Sequence, residues 1–376
     1  MRRVQPPPVR RAVPSLLAPA VERDPHPLFR TLREEHPLRH DEPFGAWLVS
    51  RYAEVCAALA EPRLLAPPPG RTLVHQEGAT HDAHRALLEP ALRGRALAAL
   101  APGVERTAHV LARRIAARQE ADLVAEFCQW LPAAAVVAAL GLPYEETARL
   151  QEWCRTGLTH AAGRHPGLDA CLRPHIARRR AHPGTDLLSV LCTAEPGGRP
   201  LSDEAVTGLV GEVLGAGGEA AALGLASFLA NLLDHPGQLE LVRERPGLIP
   251  AAWAESLRRD PPRPVVLRRA VAPVTVAGTP LPPGARVACL IGAAGRDPAR
   301  FADPDRYDVF RADTGRLAGG AGRHACLGAD LAALAAERGL RALLDALPGL
   351  RWTPGFRPVP RGLLARAPRL LSIRPR

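Results

Sequence analysis

The 376-residue sequence predicts a mainly α-helical protein with a small β subdomain, on three observations. Ala-, Leu- and Arg-rich segments fill most of the chain, Pro and Gly punctuate them, and no repeat of fixed period appears. One proline-free segment, residues 202–234, would span roughly 50 Å as a helix. β-Branched residues cluster only in short stretches, a strand at 46–50 and a hairpin over 271–290. The hairpin has turn signals at Ala277-Gly278-Thr279 and Pro282-Pro283-Gly284.

Hydrophobic residues make up 47% of the chain and charged ones 23%, enough for a large core. That excludes a disordered chain, a collagen-like repeat and a disulfide mini-protein. Residues 1–20, basic and broken by prolines, read as a flexible arm too weakly apolar for a secretory leader. Residues 21–376 read as a single domain, and the expected location is cytoplasmic. The apolar stretch 131–142 falls short of the roughly 20 residues a bilayer span requires, so no membrane association is expected. Seven cysteines, Cys56, Cys128, Cys154, Cys171, Cys192, Cys289 and Cys326, show no paired spacing, which disfavours a disulfide framework or a zinc site. The net charge of +11 suggests acidic partners, but 4% aromatics and the lack of a recognition motif argue against nucleic acid.

In the long helix, Ser202 is the expected N-cap, Asp203 and Glu204 occupy the first turn, and Pro236 stops the run. Gly208, Gly211, Gly215, Gly217, Gly218 and Gly224 each cost about 0.5–1 kcal/mol relative to alanine in a helix interior. Close helix packing or a large flat ligand lying along a groove would each account for them. Glu219 has Gly215, Ala216, Ala222 and Leu223 as its helical neighbours, none able to pair with it. It faces solvent, or it lies in a cavity with a raised pKa, ready to pass protons.

Near the C-terminus the chain reads Gly319-Gly320-Ala321-Gly322-Arg323-His324-Ala325-Cys326-Leu327-Gly328, followed by an alanine-rich helix to about Ala346. A thiol at a helix N-terminus is favoured as thiolate, and the glycines let backbone wrap close to the sulfur. A phosphate cradle would want a following Lys-Ser/Thr, and a dinucleotide fingerprint would want glycine at Ala325. A buried structural cysteine leaves the glycine run and the cationic Arg323 and His324 unexplained. A metal-bound thiolate explains all of them.

This loop resembles the haem-binding signature F-G-x-G-x-H-x-C-x-G of the cytochrome P450 family, matched by Gly320, Gly322, His324, Cys326 and Gly328. Glu255-Ser256-Leu257-Arg258 resembles the family's E-x-x-R motif, and 301–307 resembles the segment whose arginine, Arg306, would complete that ion-pair network. His81-x-x-x-Arg85 and Arg268 resemble the residues that grip the haem propionates, with His324 as a fourth cation. The resemblance runs from His26-Pro27-Leu28 to Leu371-Ser372-Ile373. It implies the cytochrome P450 fold, haem b with Cys326 as proximal ligand, a push of electron density toward oxygen, and monooxygenase activity. It also implies electrons from NAD(P)H through a separate ferredoxin and ferredoxin reductase, which would meet arginines such as Arg316 and Arg323 near the loop.

The sequence departs from the family at three places. The oxygen-binding motif reads Ala216-Gly217-Gly218-Glu219-Ala220-Ala221, so the acid is kept and the hydroxyl lost, which leaves Gly218, Glu219 and Ala220 as the oxygen-side residues. Gly319 stands where the signature has Phe, which should expose the thiolate and shift its potential. Two lid segments, between Leu65 and His81 and between Gly157 and Pro174, are short, about fifteen and sixteen residues, so an open distal pocket is expected. Such a pocket suits a larger small molecule, or a peptide or carrier-bound substrate, better than a small terpene. The expected function is an oxidative tailoring step of bacterial secondary metabolism such as antibiotic biosynthesis, with hydroxylation placed ahead of oxidative C–C or C–O coupling of aromatic or peptide substrates. A haem-binding protein without turnover, and chemistry driven by peroxide alone, are the other readings.

Overall fold

In a computed structural model of the chain, residues 13–66, 73–156, 166–315 and 317–375 are described. The long helix forms over Asp203–Asp234, and the Ser202 hydroxyl accepts a bond from the Ala205 N–H at 3.2 Å, as expected of the N-cap. Around this axis pack the helices Leu131–Ala139, Pro166–Ala181, Leu187–Thr193, Ile249–Arg259 and Ala329–Ala346. The long helix, and not 131–142, is apolar and extended enough to cross a membrane, yet it lies mostly inside the protein, nearly continuously buried from Leu223 to Leu233.

Its glycines serve both purposes left open by the sequence. A Cβ on Gly217 would fall 3.0 Å from Val136, and one on Gly224 would fall 3.0 Å from the Trp253 ring, so there helices approach closely. One on Gly208 would meet nothing within 4 Å, because that side of the helix opens on a cavity.

The sheet has five strands in the order Leu38–Asp41, Ala46–Val49, Arg286–Cys289, Val266–Ala270, Leu64–Leu65. The segment 271–290 is not one hairpin. Val274–Val276 and Thr279–Leu281 form a hairpin around Ala277 and Gly278, both at positive φ. After Pro282-Pro283-Gly284 the chain instead joins the larger sheet, with Val287 opposite Trp47 in parallel and opposite Arg268 in antiparallel register. Arg286–Cys289 is buried at three of its four positions, which only a central strand allows.

Within the segment expected to be an arm, 1–20, the described residues from 13 onward make fixed contacts with the rest of the protein. Leu16 is buried and its N–H donates to the Asp41 carboxylate at 2.7 Å, Arg39 donates to the Val13 carbonyl, and Pro19–Arg23 is helical. Residues 1–12 lie outside the described residues.

His26 packs edge-on against Phe29 with its Nδ1 unpartnered. Burial, reinforced by Arg296, lowers its pKa to about 4. The unfolded chain therefore takes the proton first. Stability from this residue is full above its ordinary value near 6.5 and is lost as pH falls from there to 4, about 3 kcal/mol in all. The drop in urea midpoint between pH 7 and pH 5 should be clearly smaller in His26→Phe than in the wild type.

Candidate active site

Cys326 sits two residues before the N-cap of the helix Ala329–Ala346, at the wall of a cavity of about 830 Å³. Backbone bonds set its position: the Cys326 N–H donates to the Gly319 carbonyl at 2.8 Å, and the Ala325 N–H to Gly322 at 3.1 Å. Gly320 and Gly322 hold φ near +70°, a conformation that suits glycine. Arg85 clamps the loop from outside by donating to the carbonyls of Arg323 and Ala325, at 3.1 and 2.9 Å. The side chain of Cys326 is accessible from the cavity, whereas Cys128, Cys171, Cys192 and Cys289 are buried elsewhere. Surrounding protein pushes the thiol pKa up, opposed by the N–H groups of Gly328 and Ala329 and by Arg85. The N–H groups at the start of the helix thus favour the thiolate more than Arg85 does.

The expected cationic set gathers beside this loop. The rings of His81 and His324 meet edge-on, with centroids 4.6 Å apart. His81 is wholly buried; its Nδ1 lies 3.0 Å from Asp82, while its Nε2 has no partner. His324 is held by Glu77 at 2.8 Å, and burial lowers its pKa, with Glu77 opposing the shift and His81 and Arg268 adding to it. Arg268 is buried with no carboxylate in ion-pair range among the described residues, and burial lowers its pKa. A buried imidazole nitrogen without a partner and a buried unpaired guanidinium both call for anionic oxygens. They suit a flat macrocycle bearing two carboxylates, and Cys326 would supply the thiolate to its metal.

Across the cavity the long helix presents Gly215, Ala216, Gly217, Ala220 and Ala221. Gly218 and Glu219 do not belong to this wall. They line a separate pocket of about 60 Å³, where Glu219 pairs with Arg263 at 2.9 Å. The helical neighbours of Glu219 offer no partner; the partner comes from 44 residues further along the chain, which local spacing does not show. The distal wall facing Cys326 therefore carries no hydroxyl or acid from the oxygen-side motif. Of the lid segments, 67–72 and 157–165 lie outside the described residues, as does Arg316; Arg323 is exposed beside the loop.

Glu255 and Arg258 are fully buried and doubly bonded, at 2.7 and 2.8 Å. The third member differs from expectation. The side chain of Arg311 donates to both Glu255 oxygens at 3.1 Å, while Arg306 is exposed and contributes only its carbonyl, which accepts from Arg258 at 3.2 Å. Sequence reasoning also missed Glu212, a carboxylate on the cavity wall two turns before Glu219. Its oxygen accepts the Leu73 N–H at 2.6 Å, and burial raises its pKa to about 7. Its spacing of seven from Glu219 was the available signal, but the motif drew attention to Glu219 alone.

Known proteins share this architecture. The family described as Cytochrome P450 matches residues 247–347. Pulcherriminic acid synthase of Bacillus subtilis is 31% identical, over 96% of this chain and 97% of that protein. Mycinamicin IV hydroxylase/epoxidase of Micromonospora griseorubida is 34% identical, over 85% and 87%. The crystal structure of CYP109E1 from Bacillus megaterium in complex with testosterone has a TM-score of 0.86 at 27% identity, covering 93% of this chain and 99% of that one. P450BioI in complex with an acyl carrier protein ligated to hexadec-9Z-enoic acid has a TM-score of 0.85 at 26% identity, over 94% and 99%. With a cysteine loop, an anion-seeking cluster and a small-residue helix around one cavity, and with relatives of this identity along the whole chain, the protein belongs to the cytochrome P450 family of haem b monooxygenases, which take electrons from NAD(P)H through ferredoxin and ferredoxin reductase.

Proposed function

We propose that the chain is a tailoring monooxygenase of bacterial secondary metabolism that hydroxylates an apolar substrate, with Cys326 as the haem ligand. The observation that carries this reading is the accessible Cys326 facing Ala216 and Ala220 across a cavity of about 830 Å³. When bound, haem supplies oxygen activation. The chain supplies the rest. Gly320, Gly322 and Gly328 shape the loop, Arg85 fixes its carbonyls, and the unpartnered His81 Nε2, Arg85, Arg268 and His324 hold the two propionates. Glu255, Arg258 and Arg311 brace the segment leading into the loop. Residues 21–376 are proposed as a single domain, and the proposed location is cytoplasmic.

Relatives named for hydroxylation, epoxidation and pulcherriminic acid synthesis support a tailoring role, and the neighbour seen with a carrier protein supports a carrier-bound substrate as one option. Ala220 without a hydroxyl, together with Glu219 turned toward Arg263, favours oxidative coupling as the second reading, because coupling demands less proton delivery on the cavity side. The two separate on one measurement. Turnover with ferredoxin, its reductase, NADPH and labelled dioxygen should place one labelled oxygen atom in the product. Product lacking the label would overturn hydroxylation and favour coupling.

A further inference from the structure

We propose that Glu212 selects the substrate of this enzyme, by receiving a protonated amine carried on an otherwise apolar molecule. The inference rests on the haem-side reading of the cavity. Four features of the cavity support it.

The first is position. Glu212 lies on the long helix between Gly208 and Ala216, small residues that line the same cavity one turn away on either side. The second is preorganisation. Oε2 accepts the Leu73 N–H at 2.6 Å, and among the described residues Oε1 has no partner. One oxygen is fixed by backbone and the other is offered to the cavity.

The third is the distribution of charge. No arginine or histidine bonds to Glu212 among the described residues: Arg85, His81 and His324 gather at the cysteine loop, and His84, which also lines the cavity, lies 2.8 Å from Gln76. Asp169 lines the same cavity, and the residue before it, Leu168, lies 3.3 Å from where a Cβ on Gly211 would stand. Among the described residues, neither Glu212 nor Asp169 forms an ion pair with an arginine. The fourth is the remaining lining, which includes Val136, Leu168, Trp253 and Leu257 and offers apolar surface.

A carboxylate so placed is costly unless a donor meets it, and a cationic donor returns the most because the charge-assisted bond forms away from bulk water. Burial holds the pKa of Glu212 near 7, so an incoming ammonium group would pull it to the charged form.

Haem-loaded protein titrated with N,N-dimethyldodecylamine, with dodecyl methyl ether and with laurate, and followed by the Soret band, tests this. The expected result is a blue shift with the amine at a dissociation constant at least about tenfold lower than with the ether, a difference of about 1.4 kcal/mol. Laurate should bind weakest. Glu212→Gln should abolish the preference while the ferrous–carbon monoxide spectrum stays that of the wild type, and Glu212→Asp should keep part of it.

Equal affinity for amine and ether in the wild type would overturn the proposal, with no variant required. So would a preference that survives Glu212→Gln, or a red shift that puts the amine on the iron. A wild-type ferrous–carbon monoxide band lacking thiolate character would instead sink the haem-side reading itself, so the two failures are distinguishable.

Discussion

Cys326→Ser is expected to remove the thiolate-type Soret band of the ferrous–carbon monoxide complex and to lower turnover by more than about 100-fold. Changes that merely surround a metal ligand commonly cost about 10- to 100-fold, and this one removes the ligand. The fold should survive. The loop is set by the Cys326 N–H on the Gly319 carbonyl, by Ala325 on Gly322 and by Arg85 on two carbonyls, none of which involves the sulfur. Far-ultraviolet circular dichroism and the urea midpoint of the protein without haem should therefore match the wild type. Retention of the thiolate band in the serine variant would refute the ligand assignment, because Cys326 is the cysteine that lines the cavity among the described residues.

The second large effect concerns Glu255. Glu255→Ala should destabilise the protein by about 3–5 kcal/mol, because it leaves Arg258 buried and uncompensated. The two flanking arginines should separate sharply. Arg311→Ala removes two bonds to Glu255 and those to the Ala302 and Asp303 carbonyls, and should cost about 2–4 kcal/mol. Arg306→Ala removes an exposed side chain and keeps the carbonyl that Arg258 uses, so its cost should stay within about 0.5 kcal/mol. Urea denaturation of the three variants checks this. A larger loss for Arg306→Ala than for Arg311→Ala would contradict the arrangement.

Much of this architecture is legible in the amino-acid sequence alone. The N-cap at Ser202, the proline at 236 and the apolar run between them define the long helix because its signals are local. The cysteine loop is equally readable, since glycines, a histidine and a thiol at fixed offsets leave few chemical uses. Long-range pairing is what local signals do not carry. Arg311 replaces Arg306 because the chain between Phe301 and Arg311 runs through turns, so no periodicity tells which side chain reaches the helix Ile249–Arg259. Glu219 meets Arg263, and strand Arg286–Cys289 leaves its expected hairpin for a parallel neighbour, for the same reason. Glu212 escapes notice because a carboxylate on a helix reads as surface unless the cavity beside it is known.

The bare stretch of helix at Gly208 makes durability and capacity opposing demands. A methyl group there would meet no atom and would relieve the helix of its weakest kind of residue, yet every carbon added occupies room that a guest needs. Selection for a tougher protein would fill this wall first, and selection for bulkier cargo would keep it empty. The glycine thus records which pressure has prevailed.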